Sequence, residues 1–134
     1  MRQLVIAVAL FAGSVCSHLN AQTADLTAEV PFNFRVGATS MPAGTYWIHQ
    51  SGGLITVRQE GGSKIATLTL PASRPTAPST GILEFNRYGD TYFLSKVWAP
   101  ESTEGRALPK GPQEKEIARH IAVEPIQTAA LKTK

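Results

Sequence analysis

From Ala28 to Val36 apolar and polar side chains alternate. Ala28, Val30, Phe32, Phe34 and Val36 fall on one side, Glu29, Pro31, Asn33 and Arg35 on the other. A two-residue period marks a half-buried strand. Pro31 has no N–H to give a ladder, so the strand is expected at a sheet edge, or with Pro31 at an unpaired or bulged position. Gly37 to Gly44 follows as a loop that ends in Met41-Pro42-Ala43-Gly44.

Three β-favouring runs come next, Thr45–Gln50, Leu54–Gln59 and Lys64–Leu70, separated by Gly52-Gly53 and Gly61-Gly62. Gly-Gly between such runs predicts tight hairpins. With each pair as the loop, Ile48 meets Val57, which meets Ala66, and Gln50 meets Ile55, which meets Leu68. Tyr46, Ile48, Ile55, Val57, Ala66 and Leu68 then share one apolar face, as an antiparallel meander requires. On the other face Trp47 meets Arg58 and Ile65, and His49 meets Thr56 and Thr67. Trp47 beside Arg58 is a surface stacking pair.

Pro71 to Thr80, PASRPTAPST, reads as an extended crossover loop, because its prolines forbid a central strand. The PxxP spacing of Pro75 and Pro78 also fits an SH3-type ligand, though the crossover loop explains it without a partner. Ile82–Tyr88 and Thr91–Trp98 then flank Gly89-Asp90, where Gly supplies the positive φ that opens a type II′ turn. This hairpin holds Phe85, Tyr88, Tyr92, Phe93 and Trp98, half of the chain's aromatic residues. Its register sets Phe85 against Leu94, Arg87 against Tyr92 and Leu83 against Lys96. Leu83, Phe85, Tyr92, Leu94 and Trp98 form one face. The other carries Glu84, Asn86, Tyr88, Thr91 and Ser95, with Ile82, Phe93 and Val97 as apolar exceptions that imply partial cover.

Ala99 to Gly111 reads as loop. Pro112 suits the first position of a helix, and Glu114, Glu116 and Arg119 are placed as its dipole prefers. A short helix over 112–120 is expected to dock on the sheet, with Ile117 and Ile121 on one face. Ile121–Ile126 is a candidate seventh strand, and residues 127–134 are expected as a disordered tail. The pattern predicts an all-β domain over 22–126: a small antiparallel β-barrel or barrel-like sandwich of six to seven strands with a short C-terminal helix.

The start of the chain changes this picture. Arg2, an apolar run from Leu4 to Val15, and small residues up to Ala21 read as a secretory signal peptide over 1–21. The run is short for a membrane span. Val15 before Cys16 makes a poor lipobox, so a lipoprotein is disfavoured. The mature chain would hold no cysteine, hence no disulfide or thiolate chemistry. Without Arg2 it carries twelve basic residues against ten acidic ones. That near balance, with the basic residues scattered, argues against a nucleic-acid partner.

VPFNFRVG at 30–37, MPAGTY at 41–46 and LEFNRYGDTYFLSKVW at 83–98, followed by the charged segment QEKEIAR at 113–119, resemble an uncharacterised family of small exported bacterial β-rich proteins. The resemblance spans most of the mature chain, and RYGDTYFL is its most specific part. It implies export and a compact β-rich fold. It brings no catalytic residue, substrate or cofactor.

No GxSxG elbow, SxxK pair, HExxH helix or phosphate-cradling glycine loop occurs. His49 and His120 lack metal-ligand spacing, and neither a cofactor nor a metal is expected. The aromatic hairpin serves first as core. As a surface, Arg87, Tyr88, Tyr92 and Trp98 are the candidate ligand-binding residues, for a small apolar or aromatic ligand, a sugar or an envelope protein. The expected function is therefore a non-enzymatic binding or interaction protein of the cell envelope, periplasmic or extracellular. One alternative is an assembly protein that pairs through an edge strand such as Ala28–Val36. A hydrolase around His49 or His120 is a third.

Overall fold

The computed structural model describes residues 23–132. The expected signal peptide, with Cys16, lies outside these residues, as do the last two of the chain. In order, the elements are β1 (Thr23–Val30), β2 (Phe34–Val36), β3 (Thr39–Met41), β4 (Gly44–Ser51), β5 (Leu54–Gln59), β6 (Lys64–Leu68), β7 (Leu70–Ser73), β8 (Gly81–Tyr88), β9 (Thr91–Trp98), β10 (Glu104–Ala107), α1 (Pro112–Ala118) and β11 (Glu124–Lys132).

The strands form two sheets. One runs β1–β4–β5–β6; the other runs β3–β2–β9–β8–β11, with β10 on β9 and β7 on β10. β11 joins them, pairing with β8 over Glu124–Ala130 and with β1 at Leu131 and Lys132. All pairs are antiparallel except the short β2–β9 contact. Leu26, Ala28, Val30, Tyr46, Ile48, Ile55 and Val57 from the first sheet pack in one core with Phe34, Val36, Leu83, Phe85, Leu94 and Val97 from the second. Burying such side chains contributes about 1.5–3 kcal/mol each.

The class is all-β with one short helix, as expected, but the ladders do not close into a barrel. The paired path ends at β3 and β6. At Thr69 the chain leaves one sheet for the other, and its N–H and Oγ1 both donate to the Gly53 carbonyl at 2.8 Å. Among the described residues there are eleven strands rather than six or seven. The additional ones are mostly three or four residues long, too short for a periodic signal.

Several expectations are corrected. Ala28–Val36 is not one strand: Pro31 ends β1, which β4 pairs throughout and β11 pairs only at Leu26 and Thr27, and β2 restarts at Phe34. Pro71 lies in β7, which pairs only with β10, so its missing N–H breaks no ladder. β10 occupies part of the expected loop at 99–111. Gln127 to Lys132 lie in β11, not in a disordered tail. Of its inward residues Ile126, Thr128 and Ala130, the last two are polar or small, which hides the alternation.

The meander is right at its first hairpin and shifted at its second. Ile48 pairs with Val57 and Trp47 with Arg58, but Val57 pairs with Ile65, and Arg58 with Lys64. The turn uses three residues, Glu60 to Gly62. Gln59 N–H donates to Ser63 O at 2.9 Å, and Gly62 N–H to Gln59 O at 3.1 Å. Gly61 takes φ 65° there. One extra loop residue reverses both faces of β6. Ile65 turns toward the core, and Leu68 is 74% exposed.

The β8–β9 turn has Gly89 at φ 62°, as expected. Phe85 meets Leu94 and Arg87 meets Tyr92, but a bulge then shifts the ladder. Leu83 meets Val97 rather than Lys96, and Glu84 meets Lys96. The bulge explains the apolar exceptions: Leu94 and Val97 both reach the core, while Phe93 and Trp98 are buried on the second face. Trp98 therefore leaves the face expected for it.

Candidate binding face

The four residues singled out from the sequence do not converge. Arg87 and Tyr92 lie on the core-facing side at the hairpin tip. Tyr92 is stacked on Phe32 at 3.9 Å with 16° between the rings. The Arg87 guanidinium sits 5.5 Å from the Tyr92 ring, and its Nε donates to Gly89 O at 2.7 Å. Its Nη1 lies 3.8 Å from Glu124. Both side chains are already engaged within the fold.

Tyr88 and Trp98 lie on the second face, at opposite ends of the hairpin. Tyr88 is buried beneath α1, where its hydroxyl donates to Glu114 Oε2 at 2.8 Å. Asn86 Nδ2 donates to the same oxygen at 3.0 Å. Burial, and then the Glu114 carboxylate beside it, push the Tyr88 hydroxyl up to about 12. Helix docking thus uses a buried acid, with Ile117 half-buried, while Ile121 is exposed. Trp98 is buried with Arg74 5.2 Å from its ring, and its Nε1 has no partner among the described residues.

A different concavity lies on the outer face of β1–β4–β5–β6. It is an open groove of about 470 Å³ whose lining includes Asp25, Trp47, His49, Thr56, Arg58 and Lys64. Register builds it from two cross-strand rows. One is Asp25–His49–Thr56, and the other is Thr27–Trp47–Arg58–Lys64. Opposed side chains on one sheet face are close enough to interact.

In the first row His49 Nδ1 is hydrogen-bonded to Asp25 Oδ1, with the two side chains 50% and 59% exposed. His49 Nδ1 is thus taken up by Asp25, and its Nε2 has no hydrogen-bond partner among the described residues. In the second row the Arg58 guanidinium stacks 5.1 Å from the half-buried Trp47 ring, the pair read from the sequence. Lys64 is directly opposite Arg58. Neither cation has a carboxylate within ion-pair distance among the described residues.

An oriented His–carboxylate pair is also the start of a general base. Here no hydrogen bond links His49 to Thr56, and the row lies on an open sheet face. Among the described residues no three His, Cys, Asp or Glu side chains are grouped to hold a metal ion. His120 pairs with Glu116 at 3.3 Å on the exposed side of α1, away from His49.

Sequence reasoning found Trp47, Arg58, His49 and Thr56 on this face and missed two members. Asp25 was recoverable, since Leu26, Ala28 and Val30 carry the alternation back toward it. Lys64 was hidden by the shifted turn. No protein-family model, curated protein or solved structure matches the chain. The resemblance to exported β-rich proteins therefore rests on its own segments.

Proposed function

We propose that this chain is an exported, non-enzymatic binding protein of the cell envelope, and that it presents the outer face of β1–β4–β5–β6 to its ligand. The uncovered groove with Trp47, Arg58, Lys64 and the Asp25–His49 pair carries this reading. An aromatic ring beside a few convergent polar groups is a common binding arrangement. The rigid sheet beneath holds these groups with little ordering cost. In this reading the scaffold is barrel-like, its wall completed through the strand switch at Thr69 rather than by continuous pairing. The leader at 1–21 supports export. Cell fractionation should recover the chain outside the cytoplasm. A screen of envelope lipids, glycans and proteins should give a ligand that protects Trp47 fluorescence from quenching. Ligand binding that is unchanged in Trp47→Ala would remove this face from the function.

A second reading has its own support. β6 ends the paired path, and beside it Leu54, Leu68 and Leu70 are exposed. An unprotected edge of this kind pairs with another chain. Here the occupant would be the β6 edge of a second copy, since β6 is open along its length whereas β1 is partly covered by β11 at Leu26 and Thr27. Concentration-dependent dimers in analytical ultracentrifugation, abolished by Leu68→Lys, would establish assembly. Monomers at every concentration would eliminate it.

A further inference from the structure

We infer that the groove on the outer face of β1–β4–β5–β6 takes an acidic sugar chain, a glycan bearing carboxylates. This deepens the binding reading above and rests on it. The first argument is electrostatic. Arg58 and Lys64 face each other across neighbouring strands with no acid to pair with among the described residues. Like charges directly opposite destabilise a sheet. The pair adds nothing to folding that a neutral pair would not, and it is arranged to receive an anion between two cations. The planar Arg58 fork suits a carboxylate.

The second argument concerns the rest of the ligand. A simple anion would need only the cations. Beside them stands Trp47, half-buried with the Arg58 guanidinium 5.1 Å from its ring, whose remaining exposed surface suits the C–H surface of a sugar; the Asp25–His49 pair lies in the neighbouring row. Asp25 supplies carboxylate oxygens that accept from sugar hydroxyls, and His49 a ring Nε2 that can hydrogen-bond one. Cations, an aromatic ring and hydroxyl acceptors within two adjacent rows match a sugar that carries acid and hydroxyl groups together.

The surroundings weigh against other anions. The groove is only partly enclosed and lies on a sheet face, so a chain can run along it. The backbones of β4 and β5 are paired on both sides, so an extended peptide could add a ladder only at the β6 edge, two strands away from Trp47 and His49. The same face carries an acid, Asp25 in the neighbouring row, which disfavours a densely anionic lipid surface.

The test uses the full chain and a panel of oligogalacturonate, oligomannuronate and hyaluronate. Each is paired with its carboxyl-reduced neutral counterpart of equal length, and anionic phospholipid vesicles form a separate arm. Isothermal titration should show binding of at least one acidic form, weakened about tenfold or more by carboxyl reduction and by Trp47→Ala. Lys64→Gln should weaken binding while leaving the melting temperature equal or higher, a combination that a merely structural lysine would not give. Equal binding of acid and reduced forms would overturn the acidic class and leave the binding face standing. Binding unaffected by Trp47→Ala and Lys64→Gln would overturn the site, and with it the broader reading. Failure of every sugar, or binding of vesicles alone, would overturn this inference, with the broad envelope screen still deciding the reading beneath it.

Discussion

At the scale of single residues, Glu114 and Tyr88 show how a buried acid can serve a fold. Glu114 is 5% exposed and accepts hydrogen bonds from both Tyr88 and Asn86. The same arrangement makes the folded Tyr88 hydroxyl hard to ionise. A free tyrosine loses its proton near pH 10.0, and Tyr88 holds its proton to about 12. Between those values the unfolded chain binds fewer protons than the folded one, so stability falls as pH rises. The contribution is complete below pH 10 and is lost through about pH 12; two pKa units correspond to about 3 kcal/mol. Urea titrations from pH 9 to 12 should show this decline, and Tyr88→Phe should flatten most of it. Tyr46, also pushed up by burial, leaves a smaller residual slope. An unchanged profile in Tyr88→Phe would place the alkaline transition elsewhere.

At the scale of elements, close approach and register govern what the chain builds. β10 crosses Trp98 at Gly105, where a Cβ would stand 2.5 Å from Trp98 Cε3 and 2.7 Å from Val97 O. One contact is ring and the other backbone, so neither yields cheaply. Gly105→Ala should cost about 1–3 kcal/mol, read as a lower urea midpoint. A wild-type midpoint would mean that β10 can shift off β9 freely. Register also explains how much was legible beforehand. Alternation revealed the inner residues of β1, β4, β5 and β8, and a single Gly at the right place revealed two turns. It did not reveal the bulge in β9 or the three-residue turn at Glu60–Gly62, because each is one residue of slack in a pattern with period two. Both errors moved functional assignments. The bulge carried Trp98 to the second face, and the longer turn brought Lys64 opposite Arg58. Four of the six residues of the binding face were therefore readable as strand positions, but its charge pair was not.

At the scale of the whole molecule, the two sheets depend on the last strand. β11 pairs β8 over seven residues and then reaches β1 at Leu131 and Lys132. Ala130 is fully buried where the sheets meet, and its carbonyl would lie 2.8 Å from a Cβ on Gly81. Removing β11 would expose one ladder edge on β8 and another on β1, while opening the core beside Leu26 and Leu83. Loss of Ile126 and Ala130 packing alone would cost several kcal/mol, and a domain of this size has only about 5–15 kcal/mol in total. A chain ending at Val123 should therefore show no cooperative thermal transition and no fixed near-ultraviolet dichroism from its aromatic core. A chain ending at Lys132 should melt like the full one, since it keeps every pair described for β11. If the shorter chain still unfolds cooperatively, the two sheets are stable without their bridge. The groove on β1–β4–β5–β6 would then be a property of the first sheet alone. If it does not, the binding face is held in shape by a strand nearly a hundred residues away in the chain, by the loop-closing logic of any non-local sheet.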